Sequence, residues 1–257
     1  DDSVTLEWPA VPGRIYGIEW STNLTNWTPL PDKVSTTGPL MRAVVAPVAT
    51  TVTLVSADAP AFALGPASDI GTNWRGGNEP GFVADGGHTG WLTGPQGVGY
   101  ENDLQPSGIN VPYTPFIGLD VKSQTFNATP RRSSVYVRIP FTVEDPSQFT
   151  SLRLSVRFDD GFASWINGRS LTNENASANP AWNATTSNRN DSLTAVYKNY
   201  DVTVRLPGLS PGTNILALQG VNTTTFSSDL LVQAILTATI PLPPAASQRV
   251  FWRITPE

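Results

Sequence analysis

The sequence predicts an all-β protein built on antiparallel sheets, and three observations carry that expectation. Apolar residues alternate with polar ones, as in Leu152, Leu154, Val156 and Phe158 between Ser and Arg, which is the period of a half-buried strand. The segments between such runs are rich in Gly, Pro, Asn and Asp. Dipeptides such as Asp160-Gly161 and Asn167-Gly168 suit two-residue turns with positive φ. Only 14% of residues are charged while Thr, Ser and Asn are abundant, a composition that forms helices poorly.

The centre of the chain, Ser151 to Leu171, reads as three strands joined by those two turns, a meander in one antiparallel sheet. Leu154, Val156, Phe158 and Ile166 are expected to point inward, with Arg153, Ser155 and Arg157 on the opposite face. At the start, VTLEW (Val4, Leu6, Trp8) and IYGIEW (Tyr16, Ile18, Trp20) read as two strands across a tight turn at Pro12-Gly13. TTVTLVS, VYVRIPFTV, YKNYDVTVRL, NILALQGVN and LLVQAILTATI supply further strands. Two stretches exceed an ordinary connection and are the places to look for function: Ile70–Pro115 and Thr172–Asp191.

Composition also removes function classes. With 39% hydrophobic residues the chain can bury a core. Its net charge is −5 and its 16 Lys and Arg are scattered, so no basic surface for nucleic acid is expected. No cysteine is present, which excludes disulfides, thiolate metal sites and cysteine nucleophiles. No apolar run approaches the roughly 20 residues of a membrane helix, so no membrane insertion is expected. The chain opens abruptly on DDSVTLEW without a signal peptide, like the edge of a piece excised from a longer protein. Its Asn- and Thr-rich, Lys-poor composition suits a secreted, extracellular or cell-surface setting.

Two resemblances refine this picture. WPAVPGRIYGIEWSTNLTNW, from Trp8 to Trp27, resembles the opening of a small fibronectin type III-like domain found near the ends of large secreted bacterial proteins. In that family the last strand carries a segment like the SQRVFWRI of Ser247–Ile254. The resemblance implies one small domain built from both chain ends, residues 1–47 and 243–257, with residues 48–242 inserted into it. Strand Val4–Trp8 or Tyr16–Trp20 should then share a sheet with Val250–Ile254. An alternative is three units in a row. The inserted part carries WLTGPQGVGY (Trp91–Tyr100), FDDGFASWING (Phe158–Gly168), GTNILALQGVN (Gly212–Asn222) and SSDLL (Ser227–Leu231) in order. Together these resemble a galactose-binding-like jelly-roll β-sandwich, and more distantly the sugar-binding sandwich that accompanies glycoside hydrolase barrels.

Candidate chemistry follows from both readings. Exposed aromatics with nearby amides and cations bind sugars, because the C–H face of a pyranose stacks on a ring while polar groups take its hydroxyls. Trp74, Arg75 and Asn78 in one long loop and Trp182 and Asn183 in the other are the expected carbohydrate-binding residues, provided the loops converge at one end. Trp91 and Tyr100 read as loop anchors, and Trp8, Trp20 and Trp27 as core of the small domain. The jelly-roll resemblance implies one structural Ca²⁺, with Asp69, Asp85, Glu101, Asp103 and Asp229 as candidate ligands. His88, the only histidine, lies in a turn-rich loop and leaves no multi-histidine metal site. Asp159 and Asp160 are sequence neighbours whose side chains diverge, unlike the facing carboxylates of a glycosidase. The expected function is a non-catalytic polysaccharide-binding module of a larger secreted protein, with the other domains of that protein as partners. The rival is a structural spacer without a ligand, and the lesser alternative a polysaccharide-degrading enzyme.

Overall fold

The computed structural model describes residues 4–21, 24–30, 32–45, 50–76, 89–102, 112–240 and 251–257. The protein is all-β. Five strands open the chain: β1 (Val4–Pro9), β2 (Ile15–Ser21), β3 (Thr28–Pro29), β4 (Val34–Ser35) and β5 (Leu40–Val45). Then come β6 (Thr50–Val55), β7 (Pro60–Leu64), β8 (Leu92–Pro95), β9 (Val98–Glu101), β10 (Leu119–Asp120) and β11 (Ser134–Val143). They are followed by β12 (Ser151–Asp159), β13 (Gly161–Ile166), β14 (Arg169–Glu174), β15 (Lys198–Asp201), β16 (Gly212–Val221) and β17 (Asp229–Ile240). The last strand is β18 (Phe251–Pro256). The chain divides into two compact units, Thr51–Ile240 and a smaller one of Asp1–Thr50 with Pro241–Glu257.

The larger unit holds two six-stranded sheets. One runs β10-β9-β17-β12-β15 with β6 also on β17, and the other runs β14-β13-β16-β11-β7-β8. Alternation along the strands turns one set of side chains inward. Leu152, Leu154, Val156 and Phe158 of β12 and Val232, Ala234 and Leu236 of β17 share a core with Val135, Val137 and Ile139 of β11 and Leu216 and Leu218 of β16. Each such side chain contributes about 1.5–3 kcal/mol on burial. Arg153 faces solvent, and Ser155 and Arg157 are half-buried on the opposite face, as expected.

The second sheet is buried on both faces. Its outer face carries Tyr136, Ala163, Trp165, Ile215 and Ala217, and Trp74 closes over them. All six residues of β13 are therefore buried, which explains why GFASWI lacks the polar alternate of a half-exposed strand.

The expected three-stranded meander is not what forms. β12 pairs with β15 and β17 in one sheet, whereas β13 pairs with β14 and β16 in the other. The chain crosses between sheets at Asp160, bringing the Phe158 and Phe162 rings to 4.7 Å with their planes inclined at 56°. Two alternating runs joined by a tight turn look the same in sequence whether they pair side by side or fold over a core. The Asn167-Gly168 turn does make the expected hairpin, with φ of 48° and 77° at its central residues. Asn167 adds side-chain bonds: its Nδ2 donates to Asn214 Oδ1 at 2.7 Å and its Oδ1 accepts from Ile215 N at 2.8 Å.

The two glycines therefore act differently. Gly168 needs positive φ, while a Cβ on Gly161 would meet Asn175 O at 2.7 Å, a backbone atom that cannot move aside cheaply. Gly168→Ala is expected to cost about 1 kcal/mol, and Gly161→Ala more, of the order of 2–3 kcal/mol as for overpacking. Thermal melts of both variants check the order; equal losses would contradict it.

In the smaller unit β1 pairs with β5, and β2 pairs with β18, β3 and β4. The expected hairpin of the first two strands is thus also an arch between sheets, although the turn at Gly13 forms with φ 78°. β18 lies antiparallel to β2, with Trp252 opposite Trp20 and Ile254 opposite Ile18. Trp20 is buried, Trp8 is half-buried edge-on to Tyr16 at 5.9 Å, and Trp27 is half-buried under the Arg253 guanidinium.

Candidate functional site

Two loop segments cover the outer face of the second sheet. The first is the single turn of 3-10 helix Asn73–Arg75. Trp74 is fully buried, stacked on Tyr136 at 4.1 Å and edge-on to Trp165 at 5.6 Å. Its carbonyl accepts from Arg138 Nη1 at 2.7 Å, and the buried Arg75 guanidinium lies 3.8 Å over the Trp165 ring. The second is the Asn-rich stretch after β14. Gln219 Nε2 donates to Ala181 O at 2.8 Å, Ser133 Oγ to Ala184 O at 2.7 Å, and Arg75 Nη1 to Asn179 Oδ1 at 2.9 Å. Polar side chains of the sheet, of the segment entering β11 and of the first loop thus hold this stretch in one place without regular structure of its own.

The long loops do converge, through that Arg75–Asn179 bond and the packing of Trp182 on the cluster that contains Trp74. Their residues do not form one open cleft. Trp74 and Arg75 are spent on covering the sheet, because the indole and guanidinium remove the apolar faces of Tyr136 and Trp165 from water. Neither offers a free face to a ligand, which corrects their expected role as stacking residues. Asn78 lies outside the described residues, as does His88. Trp182 is half-buried and Asn183 exposed.

Trp182 and Asn183 line a hollow of about 240 Å³ together with Pro130, Arg131, Arg132 and Ser133. The hollow sits where the chain enters β11. Ser133 and Arg132 are anchored there, Ser133 to the Trp182 loop and Arg132 Nη1 to the carbonyl of Gly65. Arg131 is held otherwise: its guanidinium lies 4.1 Å over Phe126 and 4.9 Å over Phe226. Phe226 is 73% exposed, beside Thr225 at the edge of the hollow. The sequence reading missed Arg131 and Phe226. Their signal was weak, since Phe226 stands alone in the polar run TTTFSS and Arg131 in a charged pair before a strand.

A second group of polar side chains lies at the sheet crossing. Asp160 is pinned by two backbone donors, Arg189 N and Thr223 N, each at 2.7 Å. Asp159 is 2% exposed; its Oδ1 accepts from the Tyr113 hydroxyl at 3.1 Å, and its Oδ2 has no protein donor and faces Asp229. Burial, reinforced by the charges of Asp160 and Asp229, holds the Asp159 carboxyl well above the usual range. Burial, with the charges of Asp191 and Glu101, pushes Asp229 up to about 6. A proton retained on this pair would supply the donor that Asp159 Oδ2 lacks.

Both carboxyls bind a proton more tightly in the folded state than in the unfolded one. Stability is therefore expected to rise as pH falls through about 6 toward the unfolded value near 4, and to fall as pH rises. Carboxylates with lowered values, such as Asp145 and Asp201, lose their contribution only below that window. Asp159→Asn presents an N–H to Asp229 at every pH, and should raise the melting temperature at pH 7.5 and flatten its rise toward pH 5. A wild-type melting temperature that falls from pH 7.5 to pH 5 would contradict the upward shift of these two carboxyls.

Of the five expected calcium ligands, Glu101 and Asp229 face each other across β9 and β17. Asp69 lies elsewhere, its Oδ1 accepting from Gly71 N at 2.8 Å. Asp85 and Asp103 lie outside the described residues. Among the described residues no three His, Asp or Glu side chains form a group that could hold a metal ion. Glu101 Oε2 accepts from Tyr113 N at 3.0 Å.

Fold and site together define an all-β antiparallel sandwich with a loop-built hollow on its rim. No family model and no curated protein matches the sequence. Among solved structures, the chain is similar to a beta-glucuronidase of Bacteroides uniformis, with 13% identity over 74% of this chain and 18% of that one, at a TM-score of 0.42. It is similar to a beta-glucuronidase of Ruminococcus gnavus, with 9% identity over 76% of this chain and 30% of that one, at 0.41. A glycosyl hydrolase family 2 member from Bacteroides cellulosilyticus matches at 10% identity over 74% and 20%, at 0.38. The chain thus spans less than a third of the length of each. Among the described residues no helix is long and apolar enough to cross a membrane.

Proposed function

We propose that this chain is a non-catalytic polysaccharide-binding module of a larger secreted protein. The observation that carries the reading is the hollow in which the half-buried Trp182 indole, the exposed Asn183 amide and the Arg131 guanidinium come together. A half-buried indole offers a fixed apolar face for a sugar ring, and the adjacent amide and guanidinium are donors for its hydroxyls. The flanking Phe226 supplies a second exposed ring. A binding role without catalysis accords with the carboxyls: Asp159 and Asp160 are each 2% exposed and bound by protein donors or by each other's neighbours. Stacking of this kind contributes about 1 kcal/mol per ring beyond area burial, so affinities of roughly −4 to −6 kcal/mol are expected.

The test is affinity electrophoresis of the whole chain against a panel of soluble polysaccharides. At least one polymer should retard the wild type, and Trp182→Ala should remove that retardation. A second reading, a structural spacer without a ligand, is favoured by the burial of Trp74 and Arg75 under the loops. Retardation by no polymer would establish the spacer.

A further inference from the structure

We infer that the polysaccharide bound at the Trp182 hollow is anionic, its acidic group held by Arg131; this rests on the binding reading above. Other buried or half-buried arginines of this unit are committed to protein acceptors. Arg75 bonds Asn179, Arg189 bonds the Phe158 carbonyl at 2.8 Å, Arg132 bonds the Gly65 carbonyl and Arg157 reaches Gln233. Arg131 makes no hydrogen bond or ion pair among the described residues. Its contacts are two aromatic faces, Phe126 at 4.1 Å and Phe226 at 4.9 Å.

Both are cation–π contacts, with the guanidinium carbon over each ring. A cation over an aromatic ring is held by the ring's electron-rich face, while the N–H donors of Arg lie in its own plane. The side chain is thus held by two rings while its donors make no hydrogen bond among the described residues. Among the described residues no Asp or Glu lines the hollow to neutralise it, although the chain as a whole carries a net charge of −5. A planar fork of free donors in a site without acids suits a two-oxygen anion, to which Arg binds through paired, charge-assisted hydrogen bonds. On a polysaccharide that group is a uronate carboxylate or a sulfate ester. Trp182 in the same hollow would take the face of the sugar that bears it.

The experiment compares carboxylated polymers (polygalacturonate, alginate), a sulfated one (carrageenan) and neutral ones (galactan, xylan) by affinity electrophoresis. Wild type, Arg131→Gln and Arg131→Lys are run, with thermal melts to confirm folding. Retardation should be selective for the anionic polymers and weaken as salt rises from about 50 to about 500 mM. Arg131→Gln should weaken it about tenfold or more, with Arg131→Lys in between because a point charge cannot form the fork. The polymer retained distinguishes carboxylate from sulfate. Retardation by neutral polymers that depends on Trp182 and is unchanged in Arg131→Gln overturns the anionic assignment alone. Retardation by no polymer removes the binding reading as well.

Discussion

Trp74→Ala is expected to destabilise the Thr51–Ile240 unit by about 3–5 kcal/mol, the range for truncating a fully buried tryptophan. For a unit of this size that lowers the melting temperature by roughly 6–20 °C. The cause is specific. The Trp74 indole fills the space between Tyr136 and Trp165, and its removal opens a cavity on the outer face of the sheet. The Asn73–Arg75 turn would lose its main apolar anchor, and with it the seat of Arg75 over Trp165. Trp74→Phe should cost less, since a phenyl ring keeps the stacking on Tyr136. Calorimetry of both variants gives the comparison. A loss below about 2 °C for the alanine variant would mean the turn is not packed as described.

Gln96→Ala should be nearly as damaging, through hydrogen bonding in place of volume. Gln96 is 2% exposed and behaves as a strand residue without being in a strand. Its Oε1 accepts from Ala234 N at 2.9 Å and its Nε2 donates to Ala234 O at 2.7 Å, so it pairs with β17 just beyond the last partner of β9, Val98 opposite Val232. The same Nε2 lies against the Ser56 carbonyl. Truncation leaves the Ala234 N–H and C=O buried without partners, at about 1–3 kcal/mol each. Gln96→Glu keeps the shape, but at neutral pH sets a carboxylate oxygen against two carbonyls. It should therefore also destabilise at pH 7 and recover in acid as the carboxyl protonates. Equal stability of wild type and Gln96→Ala in urea melts would refute the pairing.

These two residues show where sequence reading succeeds and where it stops. Period-2 alternation located β12 and its inward face, because burial of Leu154, Val156 and Phe158 is a local property of the strand. In YKNYDVTVRL, however, only Lys198–Asp201 is strand, and Thr203–Gly208 coils into 3-10 helix. Pairing is not local. The turns at Pro12-Gly13 and Asp160-Gly161 have hairpin composition, yet each carries the chain to another sheet, and only Asn167-Gly168 closes a hairpin. Gln96 sat in a Gly-Pro-rich turn whose composition says nothing about a partner 138 residues away. The site was half legible. Aromatics in polar loops directed attention to Trp74 and Trp182, but the chemistry of the two loops is identical on paper. What separates them is that Trp74 has Tyr136 and Trp165 beneath it, contributed by two distant strands. Arg131 escaped notice because its significance lies in what it does not bond.

The central claim is that the rim hollow, and not the covered face of the sheet, is the recognition surface. The most direct measurement pairs thermal melts with polysaccharide titration of Trp182→Ala, against a polymer the wild type retains. The expected result is a melting temperature within about 5 °C of wild type, since Trp182 is only half-buried, together with loss of binding. Wild-type affinity in a folded Trp182→Ala protein would contradict it.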